Sequence, residues 1–276
     1  MNKTEIEYCD MTWNPVSGCL HGCDYCYAEE RVNRFSGYVL DGEITTYNPY
    51  DGTPVWLDEP MMTEDQFGKP RRAPFPFGFD PTFHAYRLEQ PALKKKPQTV
   101  FVGSMCDLFG EWVPESWITS VFDACKAAPQ HQYLFCTKNP RRYVQLNMEG
   151  KLPMDDNFWL GTTITRPDDK LSRASGKFPN LYISIEPLLE DFGPGSLAGT
   201  GVKWAIIGAE TGNRVGKVIP EKGWVENIVS ICQRDGVKVF MKDSIQPFWD
   251  GALMRELPWE APPKKMEATT GALLPF

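Results

Sequence analysis

The sequence has 276 residues, with 29 Lys and Arg against 36 Asp and Glu, and so a formal net charge of −7. Hydrophobic residues make up 42% and charged residues 24%, a composition that excludes a wholly disordered chain. The acidic balance also argues against a protein that holds nucleic acid over a broad cationic face, because phosphate binding relies on clustered Lys and Arg.

The N-terminal stretch 1–15 lacks the apolar segment of a signal peptide, and no apolar run approaches the ~20 residues of a membrane helix. The sequence therefore predicts a cytoplasmic protein that does not contact a membrane. In that reducing compartment, the eight cysteines are expected to be thiols or metal ligands rather than disulfides.

Cys19, Cys23 and Cys26 form a C-x3-C-x2-C pattern. Three thiolates on one compact loop can hold a single inorganic centre, because iron–sulfur clusters are bound by cysteine thiolates. A closed zinc site needs four protein ligands and would have to recruit His21 or Cys9. A site with three cysteines instead leaves one metal position open, as a catalytic centre requires.

The next part of the chain has a different character. A helix is predicted over 24–34, and residues 36–76, rich in Tyr, Pro, Gly and charged residues, are interpreted as an insertion. Within it, 37–57 indicates a hairpin. Residues 83–97 indicate a helix and a linker to the next strand. The tail, about 260–276, is expected to be loosely attached.

After residue 98, short apolar runs alternate with helical patterns, as in consecutive βα units. Each run is almost continuously apolar, which is typical of parallel strands covered on both faces. Helices are predicted over 114–128 and 221–236. The predicted strands are 99–104, 133–138, 158–164, 181–186, 203–208 and 237–242. The sequence thus predicts an α/β fold.

Polar residues follow each of these strands. Loops are polar in general, but the carboxyl ends of parallel strands meet at one edge of a sheet, so a whole series of such ends favours a single site. The residues at the strand ends are Gly103, Ser104, Asp107, Thr137, Lys138, Thr163, Thr165, Arg166, Ser184, Glu186, Gly208, Glu210, Thr211, Lys242 and Asp243.

The cysteine pattern, with the aromatic Tyr25 just before its last cysteine, resembles the signature of the radical S-adenosylmethionine (SAM) superfamily. The wider sequence is similar to a phage-associated branch of that superfamily. The matching stretches are 12–29, 100–114, 134–143, 183–192 and 206–212.

The resemblance implies one domain over 1–276, a partial (βα)6-type TIM barrel carrying the insertion. Cys19, Cys23 and Cys26 would bind three irons of a 4Fe–4S cluster, and the fourth iron would bind SAM through its amino and carboxylate groups. An electron from a donor such as flavodoxin or ferredoxin would cleave SAM to methionine and a 5′-deoxyadenosyl radical, which takes hydrogen from the substrate. The cofactor supplies the chemistry, and the protein positions and shields it.

The resemblance also implies cofactor-binding residues. Tyr25 occupies the aromatic position beside the SAM adenine. Superfamily members carry Gly-Gly-Glu after the second strand, where this chain has Gly-Ser-Met-Cys-Asp at 103–107. That departure leaves the ligand of the SAM amino group open. Gly103 allows close backbone approach, and Ser104 or Asp107 could accept a hydrogen bond from an ammonium.

Two later strand ends complete this set. Ser184 and Glu186 are candidates for binding ribose hydroxyls or the SAM ammonium. The segment 206–210, with Gly208 and Glu210, resembles in part the segment that contacts adenine. Ordinary loop or packing roles remain the alternative for each of these residues.

Cys106, Cys136 and Lys138 are the candidate catalytic residues. A thiol at a strand end could donate a hydrogen atom, whereas a buried cysteine also behaves as a small hydrophobe. Lys138 belongs to a basic segment with Arg141 and Arg142. Lys69, Arg71 and Arg72 form a second basic segment. Basic residues beside aromatic ones can bind phosphate and stack bases, although such segments are also common as solvated surface.

Three functions follow. The favoured one is a radical SAM enzyme acting on a nucleic acid base or nucleotide, in the host cytoplasm if phage-encoded. The basic segments and the aromatic-rich insertion motivate it. A radical SAM enzyme acting on a small molecule, peptide or protein fits the acidic charge better. A non-enzymatic zinc-binding interaction module is the third.

Overall fold

The computed structural model describes residues 1–40, 43–45, 53, 55–65, 67–169, 178 and 180–260. The strands are β1 (Asn2–Lys3), β2 (Met11–Trp13), β3 (Val16–Ser17), β4 (Tyr38–Leu40), β5 (Glu43–Thr45), β6 (Val55–Leu57), β7 (Met62–Glu64), β8 (Pro70–Arg72), β9 (Thr82–His84), β10 (Thr99–Val102), β11 (Gln132–Thr137), β12 (Phe158–Thr163), β13 (Asn180–Ile185), β14 (Val202–Ile207) and β15 (Lys238–Met241). The helices are α1 (Tyr27–Asn33), α2 (Gln90–Leu93), α3 (Glu115–Lys126), α4 (Arg141–Met148) and α5 (Lys222–Asp235), with 3-10 turns at Ala85–Arg87, Gly212–Arg214 and Asp243–Phe248.

The largest sheet has the order β1-β2-β10-β11-β12-β13-β14-β15. Every neighbouring pair from β2 to β15 is parallel, and β1 pairs with β2 antiparallel. The strands predicted after residue 98 are therefore confirmed, and the fold is mixed α/β. The short strand β2 was not predicted. No pairing joins β1 to β15 in the described part of the chain, and the partial barrel stays a prediction.

The sheet is strongly curved around Tyr8, which precedes β2. The Tyr8 ring lies 6.2 Å from that of Phe101 on β10 and 5.8 Å from that of Phe240 on β15, between ring centroids. In a flat sheet, strands five positions apart would be separated by about 24 Å. One face of the sheet therefore bends around a cluster of aromatic and aliphatic side chains, and the other packs against helices. The buried residues of the inner cluster are Tyr8, Leu134, Trp159, Tyr182, Trp204, Ile206 and Phe240.

A second sheet has the order β3-β9-β6, and β4–β5 and β7–β8 form two hairpins. The expected helix over 83–97 is wrong at its start, because Phe83 and its neighbours are buried and pair with both β3 and β6. This tertiary pairing outweighs the local helical pattern. Only the short helix α2 and a 3-10 turn form within that segment. The hairpin expected within 37–57 is present as β4–β5.

The predicted helices over 114–128 and 221–236 are confirmed as α3 and α5. Helix α5 ends at Gly236, whose φ of +70° suits a left-handed C-terminal cap. Helix α1 begins later than expected because Cys26 is its N-cap. The Cys26 Sγ accepts a hydrogen bond from the Glu29 N–H at 3.4 Å. The predicted tail from 261 onward lies outside the described residues.

Candidate functional site

The cysteine loop directly follows β3, which begins shortly after β2 ends. It lies at the carboxyl edge of the largest sheet, where Gly18 forms an isolated bridge with Cys106. Two backbone hydrogen bonds of 2.9 Å hold its beginning, from the Gly18 N–H to the Met105 carbonyl and from the Cys19 N–H to the Phe79 carbonyl. Gly18 has a φ of +90°, and a Cβ there would lie 2.2 Å from the carbonyl carbon of Asp80. The loop can therefore pass this point only with glycine.

The three cysteines of the loop are partly exposed thiols. The Cys26 N–H donates to the Cys23 carbonyl at 3.0 Å, which keeps these two residues together in a tight turn. Burial raises the pKa of Cys19 to about 12 and also raises the pKa of Cys23. Without a bound metal, these two thiols are thus protonated and unreactive at neutral pH.

The donor chemistry of this loop fits an iron–sulfur cluster. Among the described residues, no group of three or more His, Cys, Asp or Glu side chains is placed to hold a single metal ion. An iron–sulfur cluster requires a different geometry from a single metal ion. Each thiolate binds a separate iron, so the three sulfur atoms need not converge on one point. Cys19, Cys23 and Cys26 would hold the cluster.

Asp107 connects the cysteine loop to the ends of β10 and β11. Its carboxylate accepts hydrogen bonds from the Thr137 hydroxyl at 2.7 Å, the Lys138 N–H at 2.9 Å and the Phe109 N–H at 3.0 Å. It also contacts the His21 Nε2 at 2.8 Å. Because protein donors surround this buried carboxylate, Asp107 positions the loop.

Asn14 and Tyr27 fix the backbone around Ser104. The Asn14 Oδ1 accepts from the Met105 N–H at 3.1 Å, and the Asn14 side chain also pairs with the Ser104 hydroxyl. The Tyr27 hydroxyl donates to the Ser104 carbonyl at 2.7 Å. Sequence reasoning missed both Asn14 and Tyr27 as parts of the site.

Gly103 makes room for Cys106. It has a φ of +80°, and a Cβ at this position would lie 2.9 Å from the Cys106 Sγ. Burial raises the pKa of the Cys106 thiol well above its ordinary value, and nearby Asp107 acts in the same direction. Cys106 is therefore a neutral thiol packed beneath the loop.

Lys138 and Tyr25 are brought together beside Cys23. The Lys138 Nζ lies 5.3 Å from the centroid of the Tyr25 ring, a cation–π contact. Burial lowers the pKa of Lys138, but Tyr25, Cys23 and Cys136 outweigh it, and the net pKa is raised. Burial raises the pKa of Tyr25, and nearby Lys138 and Thr165 partly offset that rise. A charged ammonium group thus stands next to the cysteine loop.

Glu186 receives three donors at the other end of the same edge. Its Oε2 accepts from the Ser184 hydroxyl at 2.9 Å and the Tyr8 hydroxyl at 3.3 Å, and its Oε1 pairs with the Lys242 Nζ at 2.7 Å. Gly208 leaves space for this arrangement, since a Cβ there would lie 3.0 Å from the Glu186 Cγ. Sequence reasoning did not assign Tyr8 to the site.

Glu210 holds the loop that follows β14. Its carboxylate is buried, pairs with Arg214 and accepts from the Val218 N–H at 3.0 Å. The Arg214 Nη1 in turn donates to the Asp24 carbonyl at 3.3 Å. Glu210 thereby connects its own loop to the cysteine loop through Arg214.

Cys136 belongs to the inner face of the sheet. Its Sγ lies 3.2 Å from the Thr163 Oγ1, and it packs against the inner cluster that contains Tyr182. Burial raises the pKa of Cys136 to about 11, so the thiol is neutral at physiological pH.

The remaining cysteines are not brought to the loop. Cys9 packs against the inner cluster, and its thiol donates to the Ile6 carbonyl at 3.8 Å. Cys125 and Cys232 are buried on α3 and α5, as their apolar surroundings in the sequence indicate.

None of the described helices combines the length and the apolar character that crossing a membrane requires.

Comparison with known proteins places this chain in a family. No curated protein and no solved structure matches it. A family model described as "Protein of unknown function (DUF5131)" matches residues 3–246. This match covers the cysteine loop, the strand ends from β2 to β15 and every site residue described above, and the chain therefore belongs to the DUF5131 family.

Proposed function

We propose that this protein is a radical SAM enzyme that binds a 4Fe–4S cluster through Cys19, Cys23 and Cys26 and modifies a nucleic acid base or nucleotide. The observation that carries the proposal is the position of the three partly exposed thiols. They lie on the one loop that follows β2 and the short strand β3, at the edge of the largest sheet where the other strand ends meet. The cluster and SAM, when bound, supply reductive formation of a carbon-centred radical.

The contribution of the chain's own residues is to hold the loop in one conformation. Asp107 fixes it from β10 and β11, Asn14 fixes the neighbouring backbone, and Arg214 reaches it from the loop after β14. Residues at the ends of four strands, β2, β10, β11 and β14, therefore restrain the cysteine loop. Such preorganisation is what a site needs to keep reacting groups at a defined distance.

The carboxylates at this edge are already engaged by protein donors. An incoming ammonium could reach Glu186 only by sharing its oxygens with Lys242, Ser184 and Tyr8. The cationic Lys138 offers the complementary interaction, because its ammonium can contact a carboxylate or phosphate beside Cys23. Anionic groups of the cofactor or substrate are thus expected on the Lys138 side.

We further propose a small redox protein, such as flavodoxin or ferredoxin, as the electron donor, and the cytoplasm as the location. The support is chemical: a reducing compartment keeps the loop thiols free to bind iron. If the protein is phage-encoded, that compartment is the host cytoplasm.

Anaerobic reconstitution with iron and sulfide tests the proposal. The native protein is expected to become brown and bind about four irons per chain, and after reduction it should release 5′-deoxyadenosine from SAM. Cys23→Ala should lose both properties, whereas the control Cys9→Ala, whose thiol lies outside the loop, should keep them. A colourless native protein with one zinc, or full turnover by Cys23→Ala, would refute the assignment.

A further inference from the structure

Hydrogen bonds to Asp65 close the connection between β7 and β8. The Asp65 Oδ1 accepts hydrogen bonds from the Phe67 N–H at 2.9 Å and the Lys69 N–H at 3.0 Å. Gly68, with a φ of +72°, completes the turn, and its N–H donates to the Asp65 carbonyl at 3.0 Å. The negative charge of Asp65 is thereby directed at backbone amides, and the turn holds Phe67 away from the body of the protein.

Phe67 is 84% exposed at this turn. A single exposed apolar side chain is ordinary on a protein surface and needs no explanation by itself. Here Phe67 is followed within five residues by three exposed cationic residues, Lys69, Arg71 and Arg72. Their side chains make no hydrogen bond and no ion pair within the described part of the chain.

The charge of the rest of the protein makes this cationic strip distinctive. The chain carries a net charge of −7, so its overall charge disfavours a polyanion and attraction has to come from a local group of cations. The hairpin itself contains the acids Glu64 and Asp65; the Asp65 carboxylate accepts hydrogen bonds from the turn and is close enough to Arg71 to interact with it electrostatically. Lys69 directly precedes β8, and Arg71 and Arg72 are the last two residues of that strand, with side chains on opposite faces of the hairpin.

The base of the hairpin lies against the cysteine loop. Phe75, Phe79 and Cys26 all pack against the same small cluster of Ala28, Val32 and Met105, and the Phe79 carbonyl accepts the Cys19 N–H at 2.9 Å. Phe75 follows Arg72 by three residues, which span at most ~11 Å of extended chain. A ligand held along the hairpin therefore ends close to the candidate cluster site.

We infer that the hairpin β7–β8 binds single-stranded nucleic acid, with a base stacked on Phe67 and phosphates on Lys69, Arg71 and Arg72. This inference rests on the proposed function, and it identifies the hairpin as the surface by which the proposed enzyme would bind its nucleic acid substrate. Single strands are bound by aromatic side chains on which bases stack, together with cations that follow the backbone. The hydrogen bonds from the Phe67 and Lys69 N–H groups to Asp65 restrain the backbone on either side of the ring, which lowers the entropic cost of binding.

Fluorescence anisotropy with labelled single-stranded DNA of mixed sequence, and with the matching RNA, tests this inference on the full chain. Replacing Lys69, Arg71 and Arg72 together by Ala should weaken binding at least about tenfold and reduce the slope of log K against log salt by about 2. Phe67→Ala should weaken binding by about 5- to 100-fold.

Matched controls lie elsewhere on the surface. Replacing the exposed Lys94, Lys95 and Lys96 together by Ala changes the net charge equally, and Met148→Ala removes a side chain that is 83% exposed. Both controls should bind as the native protein does. Equal weakening by the lysine control, or unchanged binding in both hairpin variants, would overturn the inference. If poly-glutamate displaces the labelled DNA as strongly as unlabelled DNA does, the hairpin would instead be a binding site for acidic peptides, and the inference would be overturned as well.

Iron reconstitution is measured separately on the same native preparation. A native protein that takes up no iron but binds DNA through the hairpin would refute the proposed function alone. A reconstituted protein whose hairpin variants bind DNA like the native chain would refute this inference alone.

Discussion

The Lys242 Nζ and the Glu186 Oε1 form an ion pair at 2.7 Å. Gly208, which follows the strand between theirs, lies next to both side chains and leaves room for the pair. The pair is largely shielded, with side-chain exposures of 23% for Lys242 and 19% for Glu186. Burial lowers the pKa of Lys242, but Glu186 outweighs it and the net pKa is raised. The ammonium thus stays charged and holds the carboxylate in place.

Lys242→Met is expected to destabilise the protein by about 1–3 kcal/mol, because it leaves a partly buried carboxylate without its cation. Urea denaturation measures the loss. The control is Lys222→Met, whose pair with Asp250 is exposed and should contribute little. Equal losses in the two variants would show that the shielding of the Lys242 pair has no energetic consequence.

Gly18→Ala should disrupt the cysteine loop, since the added Cβ would meet the Asp80 carbonyl and the φ of +90° is strained for alanine. We expect a loss of about 2–4 kcal/mol and poor iron uptake. Gly22→Ala is the control: its φ is +62°, but nothing lies within 4 Å of a Cβ there. If Gly22→Ala loses as much stability and iron, backbone strain rather than the contact with Asp80 is responsible.

Asp107→Asn should weaken the connection between the loop and the sheet. An amide offers one acceptor oxygen and presents its own N–H groups to the donors of Thr137, Lys138 and Phe109. The expected cost is about 1–3 kcal/mol, with faster loss of iron to a chelator. The exposed Asp123→Asn on α3 should change neither quantity. Unchanged iron retention in Asp107→Asn would contradict a positioning role.

The stability of the metal-free protein should fall at alkaline pH. Burial raises the pKa of Cys232 from its ordinary 9.0 to about 12, so between these values the folded state keeps a proton that the unfolded state has lost. This contribution is fully present below pH 9.0 and decreases as pH rises through that interval.

Cys232→Ala should therefore show a smaller drop in unfolding free energy between about pH 7 and about pH 10 than the native chain. Val229→Ala, a buried change on the same helix, is the control and should lower stability equally at both pH values. A native-like pH dependence in Cys232→Ala would show that the thiol is not the titrating group.

The strands after residue 98 could be predicted because parallel strands covered on both faces carry uninterrupted apolar runs. Strand β2 could not, since Met11–Trp13 is too short to form such a run and is defined by its pairing with β1 and β10. Strand β9 was mistaken for a helix because its pairing with β3 and β6 is not visible in local sequence.

The residues of the candidate site also fall into two groups, those that local sequence identifies and those that only the assembled fold brings together. The spacing of Cys19, Cys23 and Cys26 is local and readable from sequence. The contact between Tyr8 and Glu186 joins residues 178 positions apart, and that between Asn14 and Ser104 joins residues 90 positions apart. Such partners are created only when the strands assemble, so no spacing rule could have identified them.

The position of Tyr8 has a consequence for biosynthesis. Its ring contacts Phe101 on β10, Trp204 on β14 and Phe240 on β15. These three residues are synthesised at widely separated times. The N-terminal segment, although made first, finds its last partner only when β15 has been synthesised. Contacts so distant in sequence form slowly. The nascent chain must therefore keep an apolar segment exposed for most of translation, and truncations before β15 should associate with chaperones.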